Sequence, residues 1–337
     1  SLKIWIDNSN NRWIAAGTFQ NLYVYNDDSA QYNITPSNLT AGSETAVDST
    51  SFGGGSYGND PYGEPRPEST LGVPATTWSL DQWGQYLLAC SNADGKIYEW
   101  QLSTSTIAAV LSNAPTGNTA IMVTDERFVF ALGAGGNPRK IQWSDRENNN
   151  LWAAAATNEA GSIELQTSGV IQCGVRVQNQ ALILTTTDAH TATYSGPPYV
   201  YGVERVGTSC GCVSAQGVAV VDMGAVWMGR ESFFVYSGGT VQELASDVSD
   251  YIYSDINVAQ MSKIVAVSNA KFSEIRWFYP SAESTENNRY ISFNYQENTW
   301  TIGQIARTAA ADAGVYRYPI YANPTDKKLY EHEIGFN

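Results

Sequence analysis

The segment 83–102, WGQYLLACSNADGKIYEWQL, limits the fold class more than any other stretch of the chain. Two runs of strand formers, 86–90 and 96–102, flank Ser-Asn-Ala-Asp-Gly, and Asp94-Gly95 supplies the positive-φ position that a tight antiparallel turn needs. The same grammar recurs in other words at 12–26 (RWIAAGTFQNLYVYN), 128–145, 181–196, 225–244, 275–303 and 319–336. After the first interval these units start roughly 40 to 55 residues apart, a period at which repeats form blades or solenoid turns. The expectation is an all-β chain folded as one β-propeller over 1–337, with about seven blades and a range of six to eight, because closing strands can come from either terminus.

Length alone allows two domains, but repeating all-β folds often exceed the usual domain size as one unit. With 43% hydrophobic and 15% charged residues, 20 Tyr and 10 Trp, the chain has ample material for a packed core and too little charge for disorder. Its net charge of −14 argues against binding to nucleic-acid or membrane phosphates through a broad basic patch. No apolar run is long enough to span a bilayer. The opening SLKIWIDNSNNRW has neither the charged nor the apolar region of a signal peptide, and it starts in what reads as a strand, which leaves room for residues upstream.

Residues 40–76 break the rhythm. The stretch is rich in Gly, Ser, Tyr and Pro without apolar periodicity, carries five acidic residues against Arg66 alone, and reads as an inserted loop. Two readings fit it: an excursion from a blade edge, or an arm that orders on a neighbouring subunit with Tyr57, Tyr62 and Arg66 as anchors, since aromatic residues and Arg are enriched at interface hot spots. A short connecting helix is expected over 246–258, capped by Ser246, with Val248, Tyr251, Ile252 and Ile256 on one face. The segment 151–161 reads as one helical turn or a bent connection. GAGGNP at 133–138 reads as a hairpin tip and not a phosphate cradle, because no Lys-Ser/Thr pair and no helix follow it.

Candidate chemistry is sparse. Cys90 and Cys173 sit in apolar runs and read as buried thiols, while Cys210-Gly211-Cys212 is spaced too tightly, and lacks the second pair, for a zinc site. His190 reads as an exposed turn residue in TTTDAHTAT, and His332 as part of a solvated edge with Glu331 and Glu333 on the opposite face. Asp94, Asp125, Asp145, Asp188, Glu231 and Glu274 all fall near turns, where a propeller channel could pair carboxylates on a sugar, yet none sits in a motif that names a reaction. The Trp and Tyr rings read chiefly as packing. On these grounds the chain is expected to have no catalytic residues, no metal and no cofactor.

The runs FGGGSYGNDPYGEPRPES (52–69) and TTWSLDQWGQYLLACSNADGKIYEWQ (76–101), with SDVSDYIYSDIN (246–257), EIRWFYPSAESTENNRYISFNYQENTWTIG (274–303) and YPIYANPTDKKLYEHEIG (318–335), resemble virion structural proteins of tailed bacteriophages. The nearest functional analogue is the β-propeller-containing nozzle or hub subunit of short-tailed phages. That resemblance implies a six-copy ring in the virion tail that forms part of the DNA exit channel, contacts other tail or head–tail connector proteins, and retains and conducts double-stranded DNA without specific binding. An acidic wall would let such a duplex slide. The alternatives from other classes are a carbohydrate-binding or glycan-cleaving propeller used in host recognition, and a monomeric scaffold propeller of cellular origin.

Overall fold

Each hairpin unit of the sequence supplies the middle strands of a larger antiparallel sheet, and seven such sheets stand around one axis as a β-propeller. The computed structural model describes residues 1–27, 30–46 and 73–335. Blade I holds β1 (Leu2–Ile6), β2 (Arg12–Gly17), β3 (Leu22–Asn26) and β4 (Gln31–Asn33). Blade II holds β5 (Trp78–Trp83), β6 (Tyr86–Ser91), β7 (Ile97–Trp100) and β8 (Ala109–Val110), and blade III holds β9 (Ala120–Val123), β10 (Val129–Leu132), β11 (Lys140–Trp143) and β12 (Gly161–Glu164). Blade IV is the longest, with β13 (Ile171–Val177), β14 (Gln180–Thr185), β15 (Asp188–Gly196) and β16 (Val200–Thr208). Blade V holds β17 (Val218–Val221), β18 (Gly224–Met228), β19 (Phe233–Ser237) and β20 (Thr240–Leu244); blade VI holds β21 (Val265–Asn269), β22 (Glu274–Tyr279), β23 (Arg289–Asn294) and β24 (Thr299–Gln304). Blade VII has three strands among the described residues, β25 (Ala309–Ala311), β26 (Ile320–Ala322) and β27 (Leu329–Glu331).

The first strand of every blade faces the axis, and the ring closes because β25 packs beside β1. The Asp94-Gly95 turn is as expected: Gly95 sits at φ 62°, and a Cβ there would lie 2.5 Å from the Asn118 amide nitrogen.

The core is divided into seams between neighbouring blades. Trp5, Trp13, Trp78, Tyr98 and Trp100 fill the seam between blades I and II, with Trp13 edge-on to Trp100 at 5.1 Å. Phe128, Phe130, Trp143 and Tyr201 fill that between III and IV, and Phe233, Trp277 and Phe293 that between V and VI. These rings do more than pack. Trp78 donates its indole N–H to Thr18 O, Trp227 to Cys210 O and Trp277 to Gly217 O, so the same side chain that fills a seam also pairs with a carbonyl outside its own strand, a buried one for Trp227 and Trp277.

Three local expectations need correction. The helix α1 covers only Ser249–Asp255; its N-cap position is Val248, and Ser246, whose Oγ accepts from the Val248 amide, lies two residues too early to cap it. Ile252 and Ile256 are buried as expected, but Tyr251 faces out and accepts from Arg289 Nη1 at 3.0 Å. His190 is not exposed: the turn lies at Thr186-Thr187, and the long β15 carries the imidazole inside opposite Ile183. His332 is half-buried against Tyr321, with ring centroids 4.2 Å apart. Segment 151–161 is a bent connection without helix.

Replacing Trp277 by Phe keeps a ring against Phe233 but removes one of the two hydrogen bonds to the buried Gly217 carbonyl, which then keeps only the Met228 amide at 3.2 Å. Unfolding in urea should show a loss of ~0.5–1.5 kcal/mol for that bond; an unchanged midpoint would mean that the indole hydrogen bond does not hold the seam.

Candidate functional site

The seven innermost strands enclose a central cavity of about 400 Å³. Its wall is mostly small or aliphatic, including Met122, Val218, Val220 and Val265. Three charged residues interrupt it. Lys3 comes from β1, Asp81 from β5 and Arg176 from β13, so blades I, II and IV each contribute one. Lys3 Nζ stands 2.9 Å and Arg176 Nη2 3.4 Å from the same oxygen, Asp81 Oδ1, while Oδ2 accepts from the Val123 amide at 2.7 Å. Burial alone would raise the Asp81 carboxyl, but the Lys3 and Arg176 charges and these hydrogen bonds outweigh it and hold its pKa below the ordinary value. The carboxylate is therefore ionised at neutral pH and the trio carries a net positive charge.

Hydrogen bonds cross the cavity wall at Gln216. Gln216, just ahead of β17, donates from Nε2 to Ser1 Oγ and to Trp78 O at 3.0 Å, and its own carbonyl accepts from the Ala266 amide at 2.7 Å. Through its side chain and its backbone carbonyl this one residue joins blades I, II, V and VI. The root of the inserted segment is fastened across the ring as well. Ser43 and Thr76 bridge its two sides, and Gly42 lies so close to Thr76 that a Cβ would meet Oγ1 at 2.0 Å. Beyond them the Ala46 amide donates to Gln260 Oε1 at 2.9 Å while Gln260 Nε2 donates back to Ala46 O at 3.0 Å. Gln260 is buried in the connector between blades V and VI, so a two-bond clasp holds the segment's root to the far side of the propeller.

The residues singled out in the sequence are scattered. Tyr57, Tyr62 and Arg66 lie outside the described residues. Asp94 accepts from Tyr98 Oη at 2.6 Å, Asp145 from the Glu159 amide at 2.8 Å, and Glu274 pairs with Arg276 at 3.0 Å, which are structural duties. His190 Nε2 lies 3.2 Å from Asp188 Oδ1 without hydrogen-bond geometry, and Asp188 also takes hydrogen bonds from Thr167 and Thr185. All four cysteines are free and buried; Cys173 lies against Cys212, and that contact together with burial pushes its thiol well above the ordinary value. Among the described residues no three His, Cys, Asp or Glu side chains are placed to hold a metal, and no helix is long and apolar enough to cross a membrane. The residues that do converge, Lys3, Asp81, Arg176 and Gln216, were missed. Their signal was a lone charge in each of three apolar strand runs, LKIWI, WSLDQW and IQCGVRV, at the inner position of the repeat.

No protein-family model matches the chain, and no curated protein sequence matches it. Solved structures do. Virginiamycin B lyase from Staphylococcus aureus aligns with a TM-score of 0.59 at 10% identity, over 97% of this chain and 92% of the lyase. The β-propeller domain of Myceliophteria thermophila Cps50 (Swd1) aligns with a TM-score of 0.54 at 7% identity, over 97% and 93% of the two chains. A Lactobacillus plantarum protein aligns with a TM-score of 0.50 at 10% identity, over 96% and 95%. At such identities the likeness is one of fold. It nevertheless corrects the expectation that the chain is not an enzyme: a lyase is built on this same fold along nearly its whole length, so a missing motif gives no ground for denying catalysis.

His332 offers a pH test of the blade VII packing. Burial first, then the charges of Arg307 and Arg276, lower its pKa to about 4, and Arg307 Nε donates to Nε2 at 2.9 Å. An unfolded histidine titrates near ~6.5, so the unfolded chain takes up the proton first; this stability is present above ~6.5 and lost as the pH falls toward about 4. Melting temperatures of the wild type should therefore drop more between neutral and mildly acid pH than those of His332→Gln, by a modest amount because the ring is half exposed to solvent. Equal drops would contradict this packing.

Proposed function

We propose that the chain is a structural subunit of the tail of a short-tailed bacteriophage, a stiff propeller that presents the 40–76 segment to neighbouring subunits. The fastened root of that segment carries the reading: the Ala46–Gln260 clasp and the Ser43–Thr76 bridge anchor both its ends in the ring, as an arm that transmits load between subunits requires. Four of the stretches that resemble phage virion proteins fall on regular elements, with 76–101 covering β5 to β7, 246–257 covering α1, 274–303 following β22 to β24 and 318–335 covering β26 and β27, and the fifth, 52–69, lies outside the described residues. In this reading six copies form a ring, and Tyr57, Tyr62 and Arg66 reach a neighbour. The genome passes between copies and not through a propeller, whose cavity of about 400 Å³ is far too small for a duplex. A net charge of −14 keeps the passing phosphates from adhering.

Native mass spectrometry of the chain mixed with the tail and connector proteins of its phage tests this. The full chain should enter a multi-copy complex, and a variant lacking residues 50–68 should keep its melting temperature but stay out of it. Failure of the full chain to associate with any of them, or equal assembly by the deletion variant, would overturn the reading.

A further inference from the structure

We propose that the central cavity is a binding site for a small organic monoanion, a short-chain carboxylate held by Arg176 and Lys3 with its tail against the aliphatic wall. Three observations meet here. First, Asp81 leaves most of the two cations' hydrogen-bonding capacity unused: both reach the single oxygen Oδ1, and among the described residues neither makes another side-chain ion pair or hydrogen bond. A lysine ammonium has three donors and a guanidinium five, so several N–H groups remain for a ligand. Second, the trio is a positive spot at the centre of a chain of net charge −14, which favours one negative charge and no more. Third, the cavity is of ligand size and its wall is aliphatic at Met122, Val218, Val220 and Val265, while the Arg176 and Lys3 side chains keep 40% and 26% of their surface exposed and so stay reachable from solvent.

These features select within the anions. The planar fork of a guanidinium matches a carboxylate through two parallel hydrogen bonds, and the Lys3 ammonium adds a point charge beside it. A carboxylate with an apolar tail uses both the fork and the wall. Inorganic phosphate brings more charge than the trio balances and leaves the wall empty. Asp81 sets the strength of the site, because it holds both cations in place and competes with the ligand for them. Its removal and the removal of Arg176 therefore act in opposite directions, which a merely structural trio would not produce. This inference does not depend on the tail-subunit reading.

Isothermal titration of the full chain with sodium hexanoate, with hexanol and inorganic phosphate as the neutral and inorganic controls, tests it. Hexanoate should bind saturably at one site per chain. Arg176→Gln should weaken it about tenfold, in line with the loss of a charge-assisted pair. Lys3→Gln should weaken it in the same direction, Asp81→Asn should tighten it, and hexanol and phosphate should not displace it. Melting curves of each variant check that the propeller is intact; if Asp81→Asn does not fold, the Arg176 and Lys3 variants still decide the matter. Absence of saturable hexanoate binding, equal affinity in the wild type and the folded variants, or binding of phosphate in place of hexanoate would overturn the proposal.

Discussion

Ring closure is the constraint on which everything else rests. Seven twisted sheets can share one axis only if the last packs against the first, and here that contact joins β25 to β1. The other six seams are filled by buried apolar clusters, down to the small one of Val267, Phe278 and Tyr321 between blades VI and VII. Among the described residues the closing seam has no such cluster. What joins it is the Arg12 guanidinium lying 5.0 Å over the Tyr316 ring, and the close approach of the inner strands. Cation–π contacts of this kind contribute ~0.5–1 kcal/mol at exposed sites, well below what burial of several aromatic rings supplies. The ring is therefore strongest along its length and weakest where it joins itself.

That weakness explains the placement of the polar ties. Gln216 joins the beginnings of blades I, II and V across the cavity, and the Ala46–Gln260 clasp runs from the connector after blade I to the connector before blade VI. Both act across the ring and not around it, so neither relies on the closing seam. The Lys3–Asp81–Arg176 trio does the same lower in the cavity, linking blades I, II and IV. A cavity held by ties of this kind keeps its shape, which a binding site needs and a load-bearing ring also needs.

The repeating hairpin was legible because its signals are local: strand formers on either side of a turn, as at Asp94-Gly95, specify their own pairing. Blade number followed from counting such units. What sequence reading missed is non-local. Lys3 and Asp81 are far apart in the chain, and Arg176 is farther still, so nothing in any one window marks them as neighbours. His190 was misjudged because a Thr-rich run looks like a tip, whereas the turn occupies only Thr186-Thr187 and β15 resumes at once. Ser246 failed as a cap for a similar reason: it satisfies the cap preference, but the helix it was meant to start begins at Ser249. The lack of a catalytic motif decides nothing about catalysis, because a propeller assembles its interior from seven distant strands.

Native-state hydrogen exchange followed by mass spectrometry tests ring closure most directly, since local opening follows local stability. If the β25–β1 contact is the weak seam, amides of β25, β26 and β27 exchange well before those of β13, β14 and β15, and Tyr316→Ala widens the gap by speeding blade VII alone. Uniform protection of all seven blades, with no effect of Tyr316→Ala, would contradict the account.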